Sequence, residues 1–185
     1  MRDYRINTNY AKALLLLATE RGEADRVRDD MKLVSRVTAE NRELRVVFAN
    51  PTVPHDRKAG LARALFEGNV AESTMAFLLF VVKKNRSVNL HGISESYLEQ
   101  WRSVNGVVLS DLVTHQPIDD RAREMVTNMV HDYTGKTVEL RDYTDEKMLG
   151  SFKLEFDNKM YDARIRTKIR KLRLEFNKND YESKL

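Results

Sequence analysis

Four histidines, one Gly-Lys-Thr step and a run of cations are the residues whose types could do chemistry in this chain. His55, His91, His115 and His131 each stand alone, with no partner at metal-ligand spacing, and scattered surface histidine accounts for them. Gly135-Lys136-Thr137 has the form of the end of a phosphate-binding loop. That loop requires a glycine upstream, where Val130 stands, and a helix stop leading into a strand explains the same three residues. No Gly-x-Gly-x-x-Gly run and no Gly-x-Ser-x-Gly elbow occurs. The run Arg164, Arg166, Lys168, Arg170, Lys171, Arg173 suits either of two roles. It is a phosphate-contacting helix for RNA or DNA, or the solvated face of a helix whose apolar face is Ile165, Ile169, Leu172 and Phe176. Equal acid and base in the surrounding segment, and no interleaved stacking aromatics, favour the solvated face.

The most suggestive chemistry is apolar. A segment over 72–84 carries Met75, Phe77, Leu78, Leu79, Phe80, Val81 and Val82, and so is apolar over much of a helix circumference. A surface helix needs a stripe only about 100° wide. This one is therefore a central core helix, or part of it faces a groove for another helix. The segment 4–20 is similarly generous, with Leu14, Leu15, Leu16 and Leu17 in succession.

Helices must position these residues. Spacings of three and four predict six of them in the front of the chain. The first runs to Glu20 and stops at Gly22. The second shows Val27, Met31, Val34 and Val37 on one face, with Arg26, Arg28, Asp29 and Asp30 on the other. The third spans Arg42 to Phe48 and ends at Asn50-Pro51, because a residue before proline is pushed out of the helical region. Pro54 opens the fourth, with Leu61, Leu65 and Phe66 inward, and Gly68 closes it. The fifth covers Glu72 to Lys84. The sixth, Leu90 to Val104, presents Leu90, Ile93, Tyr97, Leu98 and Trp101.

The period changes at Asn105-Gly106. Val107 to Thr114 alternates as a strand, Pro117 ends it, and Asp119 or Asp120 caps a helix to about Tyr133. Met125, Met129, Val130 and Tyr133 are its expected inward face. Thr137 to Tyr143 reads as a second strand. Phe152, Leu154 and Phe156 alternate up to Asp157-Asn158, whose turn leads into Met160–Arg164 as a hairpin. A last helix takes Ile165, Ile169, Leu172 and Phe176, and a polar tail follows from Asn177. The expected architecture is mainly α: a six-helix bundle over residues 1–105, then a small α+β domain over 106–185.

Composition sets the outer bounds. The 185 residues are 42% hydrophobic and 32% charged, enough to fill a core. The absence of cysteine excludes disulfides, thiolate metal sites and cysteine nucleophiles, and it suggests a reducing compartment. The front 105 residues hold 17 Lys+Arg and 13 Asp+Glu, and the back 80 hold 15 of each, so the whole +4 surplus lies in front. That is too mild for a nucleic-acid binder of the usual kind, yet it suits recruitment of an acidic segment. The first nine residues are polar and lack a signal-like apolar stretch. The longest apolar runs fall far short of the roughly 20 residues that span a bilayer. Any membrane association is therefore expected through a partner.

An ordered set of short motifs completes the reading. Tyr10-Ala11-Lys12-Ala13-Leu14 comes first, then Asn50-Pro51 with Lys58 and Leu65-Phe66, then Phe77-Leu78 through Asn85-Arg86 and Leu90 to Ile93. Gly106-Val107-Val108, Gly135-Lys136-Thr137-Val138, Asp145 to Leu149-Gly150, and Tyr161-Asp162-Ala163 follow. In that order they resemble the delta subunits of rotary ATP synthases, whose mitochondrial counterpart is the oligomycin-sensitivity-conferral protein. The resemblance extends from Tyr10 to about Phe176. Ser151 replaces the second glycine of one family motif, and Arg164 stands where the family tends to have serine.

The resemblance implies a non-catalytic peripheral-stalk part with no cofactor and no metal. Its front domain would bind the N-terminal segments of the head's α subunits, and its back domain would meet the membrane-anchored b subunits. One copy per complex, on the cytoplasmic face of the cell membrane, is the implied setting. The family's α-subunit contact maps onto Tyr10, Ala13, Leu14 and Leu17 with Phe77, Leu78 and Val81.

Overall fold

The computed structural model describes residues 2–146, 148, 152–157 and 159–162. The sequence-predicted helix over 165–176, its cations Arg164 to Arg173, Ser151 and the tail from Asn177 lie outside the described residues.

The chain divides into two compact units, Met1–Asn105 and Gly106–Leu185. The described part of the first is helical: α1 (Arg2–Glu20), α2 (Ala24–Glu40), α3 (Arg42–Ala49), α4 (His55–Phe66), α5 (Glu72–Lys83) and α6 (Leu90–Val104). A single tight turn of 3-10 helix, Ser87–Asn89, which the sequence pattern does not reveal, leads into α6. Leucine and alanine make α1 a strong helix former. Gly22 then takes the left-handed conformation (φ 70°), so Glu23 N–H bonds back to the Ala18 carbonyl at 2.8 Å and ends the helix. Asn85 does the same for α5 at φ 59°, with Arg86 N–H on the Val81 carbonyl.

Both α1 and α2 pack along α6. The core they share holds Leu14, Ala18, Val27, Met31, Val34, Ile93 and Tyr97, all at most 1% exposed. Gly92 lets α1 and α6 approach closely, since a Cβ there would land inside the Asn7 side chain.

Three faces differ from expectation. Asp30, placed by periodicity among the charges of α2's polar side, is only 2% exposed. The buried face of α2 runs Val27, Asp30, Met31, Val34, Ser35 and Thr38, because Asp30 finds polar partners inside. On α4, Lys58, Ala62 and Phe66 turn inward, four residues apart, while Leu65 faces out. Lys58 is accommodated by donating from Nζ to the Phe48 carbonyl (2.9 Å) at the end of α3, where the Ser87 hydroxyl also donates (2.7 Å).

The second unit builds β1 (Val107–Thr114), α7 (Asp120–Thr134), β2 (Thr137–Thr144), β3 (Lys153–Phe156) and β4 (Lys159–Asp162). The sheet order is β2-β1-β3-β4; β1 pairs parallel with β2 and antiparallel with β3, and β3 with β4. Asp119 Oδ1 accepts from Ala122 N–H at 2.7 Å to start α7, and Gly135 at φ 67° ends it. Gly135-Lys136-Thr137 is thus a helix stop running directly into β2.

Here lies the third difference. Met125, Met129 and Tyr133 are 63%, 47% and 63% exposed, and Val130 alone of the expected four is buried. α7 turns Val126 and Val130 onto the sheet, against Val108, Leu112 and Leu154. A rotation of about 100° per residue carries Met125 and Met129 to the far side.

Candidate functional site, an apolar groove between two helices

In α5 the inward face is Thr74, Leu78, Val81 and Val82, spaced by four, three and one. The residues one step around the helix, Ser73, Ala76, Phe77 and Phe80, remain open. They face Asn9, Tyr10, Ala13, Leu14, Leu17 and Arg21 of α1 across a groove of about 520 Å³. Tyr10 packs edge-on against Phe77, with ring centroids 6.5 Å apart, and lies 6.2 Å from Phe80. Leu17 and Phe80 are 38% and 47% exposed, and Leu14 forms the floor at 1%.

The structure therefore brings together Tyr10, Ala13, Leu14, Leu17 and Phe77 of the sequence-derived set. Leu78 and Val81 it does not: at 1% and 0% exposed they belong to the core behind the groove. Ala76 and Phe80 stand in their place. The signal for them was present in the four-residue spacing of Ala76 and Phe80, yet an almost wholly apolar helix hides which stripe faces out.

Helix α5 is held at its first turn by carboxylates from α2 and the residue preceding it. Asp30 Oδ2 accepts from Ala71 N–H (2.8 Å) and from the Thr74 hydroxyl (2.6 Å), while Oδ1 meets Arg26 Nε at 3.4 Å. Asp30 thus satisfies, from a neighbouring helix, the free N–H of Ala71 at the N-cap of α5. Glu23 Oε2 accepts from the Ser73 hydroxyl at 2.7 Å. Beneath, the Tyr97 hydroxyl donates to the Ala24 carbonyl at 3.1 Å. Burial, then the charge of Asp25, pushes the Tyr97 phenol up to about 12.

The histidines take separate local roles. His131 Nδ1 lies 2.8 Å from the Lys136 carbonyl, and His91 Nδ1 is 3.3 Å from the Thr38 hydroxyl. Among the described residues no group of three or more His, Asp or Glu is placed to hold a metal ion. No helix among them is long and apolar enough to cross a membrane. In the second unit, Arg123 grips Asp142 with two bonds of 3.0 Å, which hold the Asp142 carboxyl below its ordinary range.

A helical unit bearing an apolar inter-helix groove, joined to a small mixed-sheet unit, defines a class of two-unit helical and sheet proteins. Within that class, the family model described as ATP synthase delta (OSCP) subunit matches residues 6–176, and the chain belongs to that family. An ATP synthase subunit delta of Cytophaga hutchinsonii is 35% identical over 176 residues, covering 95% of this chain and 96% of its own length. One from Christiangramia forsetii is 26% identical over the full length of both chains. Among solved structures, a chain of the Toxoplasma gondii mitochondrial ATP synthase hexamer shares the fold. Its TM-score is 0.71 at 18% identity, over 92% of this chain and 97% of that one.

Proposed function

We propose that this chain is a non-catalytic peripheral-stalk subunit of an F-type ATP synthase, linking the catalytic head to the membrane-anchored b subunits. One copy per complex would resist the torque of the rotor while protons drive ATP synthesis. The observation that carries the reading is the open groove between α1 and α5, whose apolar lining suits one amphipathic helix. Its occupant in this reading is the N-terminal segment of an α subunit. Ala13 acts by being small and exposed at mid-groove, where a partner backbone comes close.

Leu78 and Val81 support the groove from behind and touch no partner. The second unit meets the end of the b subunits. The chain sits on the cytoplasmic face of the cell membrane through its partners, with no nucleic acid involved.

A joint of this kind works by slow dissociation, which broad apolar contact favours. A tagged full-length chain, expressed with the head and stalk subunits of its own complex, should bring down both together. Recovery of neither, from a folded chain, contradicts the proposal.

A further inference from the structure

The groove has an electrical direction. Tyr10 of α1 meets Phe77 and Phe80 near the end of α5, whereas Glu23, just past α1, binds Ser73 at the start of α5. The two helices therefore run in opposite directions along the groove. Their macrodipoles oppose one another and largely cancel, leaving side-chain charge to set the field at each end.

Along α5 and its C-cap the exposed stripe reads Glu72, Ala76, Phe80, Lys84, one residue per turn, with an acid at one end and a base at the other. Lys83 adds to the basic end, and Lys84 Nζ sits 5.6 Å from the centre of the Phe80 ring. At the opposite end Glu20 and Glu23 join Glu72, against the single cation Arg21 of the lining. Asp3 and Arg5 at the start of α1 offset each other.

We propose that the groove accepts its helix in one polarity, with a carboxylate-bearing end of the partner over Lys83 and Lys84 and a basic end over Glu20 and Glu72. The occupant is an amphipathic helix with an apolar stripe at spacings of three and four and charges of opposite sign at its two ends. This rests on the groove being the docking site. Exposed ion pairs add modestly each, so apolar contact supplies affinity and the charges choose direction.

The probe is a synthetic 18-residue helix with leucines at those spacings, glutamates in its first turn and lysines in its last. It carries a nitroxide at one end or the other and is titrated into the isotopically labelled full-length chain. With the tag at the acidic end, amide signals of residues 80–85 should broaden, while those of residues 20–23 and 72–73 stay sharp. The tag at the basic end should give the converse. Glutamine in place of the peptide's charges should weaken binding roughly fivefold at low salt, a difference that 0.5 M salt, at about a 4 Å screening length, should erase.

Glu72→Lys combined with Lys83→Glu and Lys84→Glu, all at exposed positions, should reverse the broadening pattern. Broadening at both ends alike, or in the opposite sense, overturns the polarity and leaves the groove standing. No binding of the charged or the glutamine peptide overturns the groove as a docking site, and the polarity with it.

Discussion

Replacing Asp30 with alanine should cost the helical unit roughly 3 kcal/mol, although the residue lies beside exposed Asp29 in a run of charges. The figure follows from what the carboxylate holds. It accepts a backbone N–H from Ala71 at 2.8 Å and a hydroxyl from Thr74 at 2.6 Å, and Thr74 is wholly buried. A charge-assisted bond contributes about 1.5 kcal/mol, and a buried donor left without an acceptor loses about as much again or more. The Arg26 contact adds little, because that guanidinium is 59% exposed.

The assay is urea unfolding of the full-length chain followed by the fluorescence of Trp101, the sole tryptophan. It sits in α6 beneath the Arg28 guanidinium, 4.5 Å from the ring centre, and so reports on the helical unit. With a denaturant slope of about 1.5 kcal/mol per molar, the midpoint should fall by roughly 2 M. Asp29→Ala, one residue along and exposed, should move it by less than about 0.3 M. If both variants shift alike, Asp30 does not hold the start of α5 as the geometry describes.

Lys58→Met keeps the stem's packing but removes the donor to the Phe48 carbonyl, leaving that acceptor to Ser87 alone; a loss of about 1–2 kcal/mol should appear in the same Trp101 curves. Tyr97 gives an alkaline signature. Its phenol is raised to about 12 when folded against the ordinary 10, so the stability it contributes is intact below pH 10 and is lost as pH climbs toward 12. Tyr97→Phe should flatten that decline, measured by urea midpoints between pH 9 and 11. Asp142 titrates the other way: held low by Arg123, it should return to the ordinary carboxylate range in Arg123→Ala when followed by its carboxyl carbon resonance.

Much of the fold was legible because helix stops are written in single residues. Gly22, the Asn50-Pro51 step and Gly135 end helices where their backbone demands it, and Asp119 starts one. The burial of individual side chains was less legible. Asp30 and Lys58 look like surface charges until a neighbouring helix end supplies the partners that let them inside. On α7 the pattern admits two apolar stripes, and only the sheet beneath decides for Val126 and Val130 over Met125 and Met129.

The groove was half legible for a similar reason. In α1, polar Asn9, Lys12 and Glu20 delimit the open stripe of Tyr10, Ala13 and Leu17. In α5, apolar residues follow one another without a break, so the spacing of the outward stripe is hidden. Phe80 emerges only once Leu78 and Val81 are seen to fill the core. The pairing of β1 with β2 in parallel is another tertiary outcome, since their alternation is compatible with either direction.

In the proposed role, the α1–α5 groove binds the N-terminal helix of an ATP synthase α subunit. Titration calorimetry of that segment, as a peptide, into the full-length chain and into Ala13→Asp tests it most directly. Ala13 is exposed at mid-groove, so the variant should keep the wild-type circular dichroism and Trp101 unfolding curve. One-to-one binding to the natural chain and at least a hundredfold loss in the variant are expected, since a carboxylate would be forced into an apolar contact. Equal affinity for the two folded proteins would contradict that role.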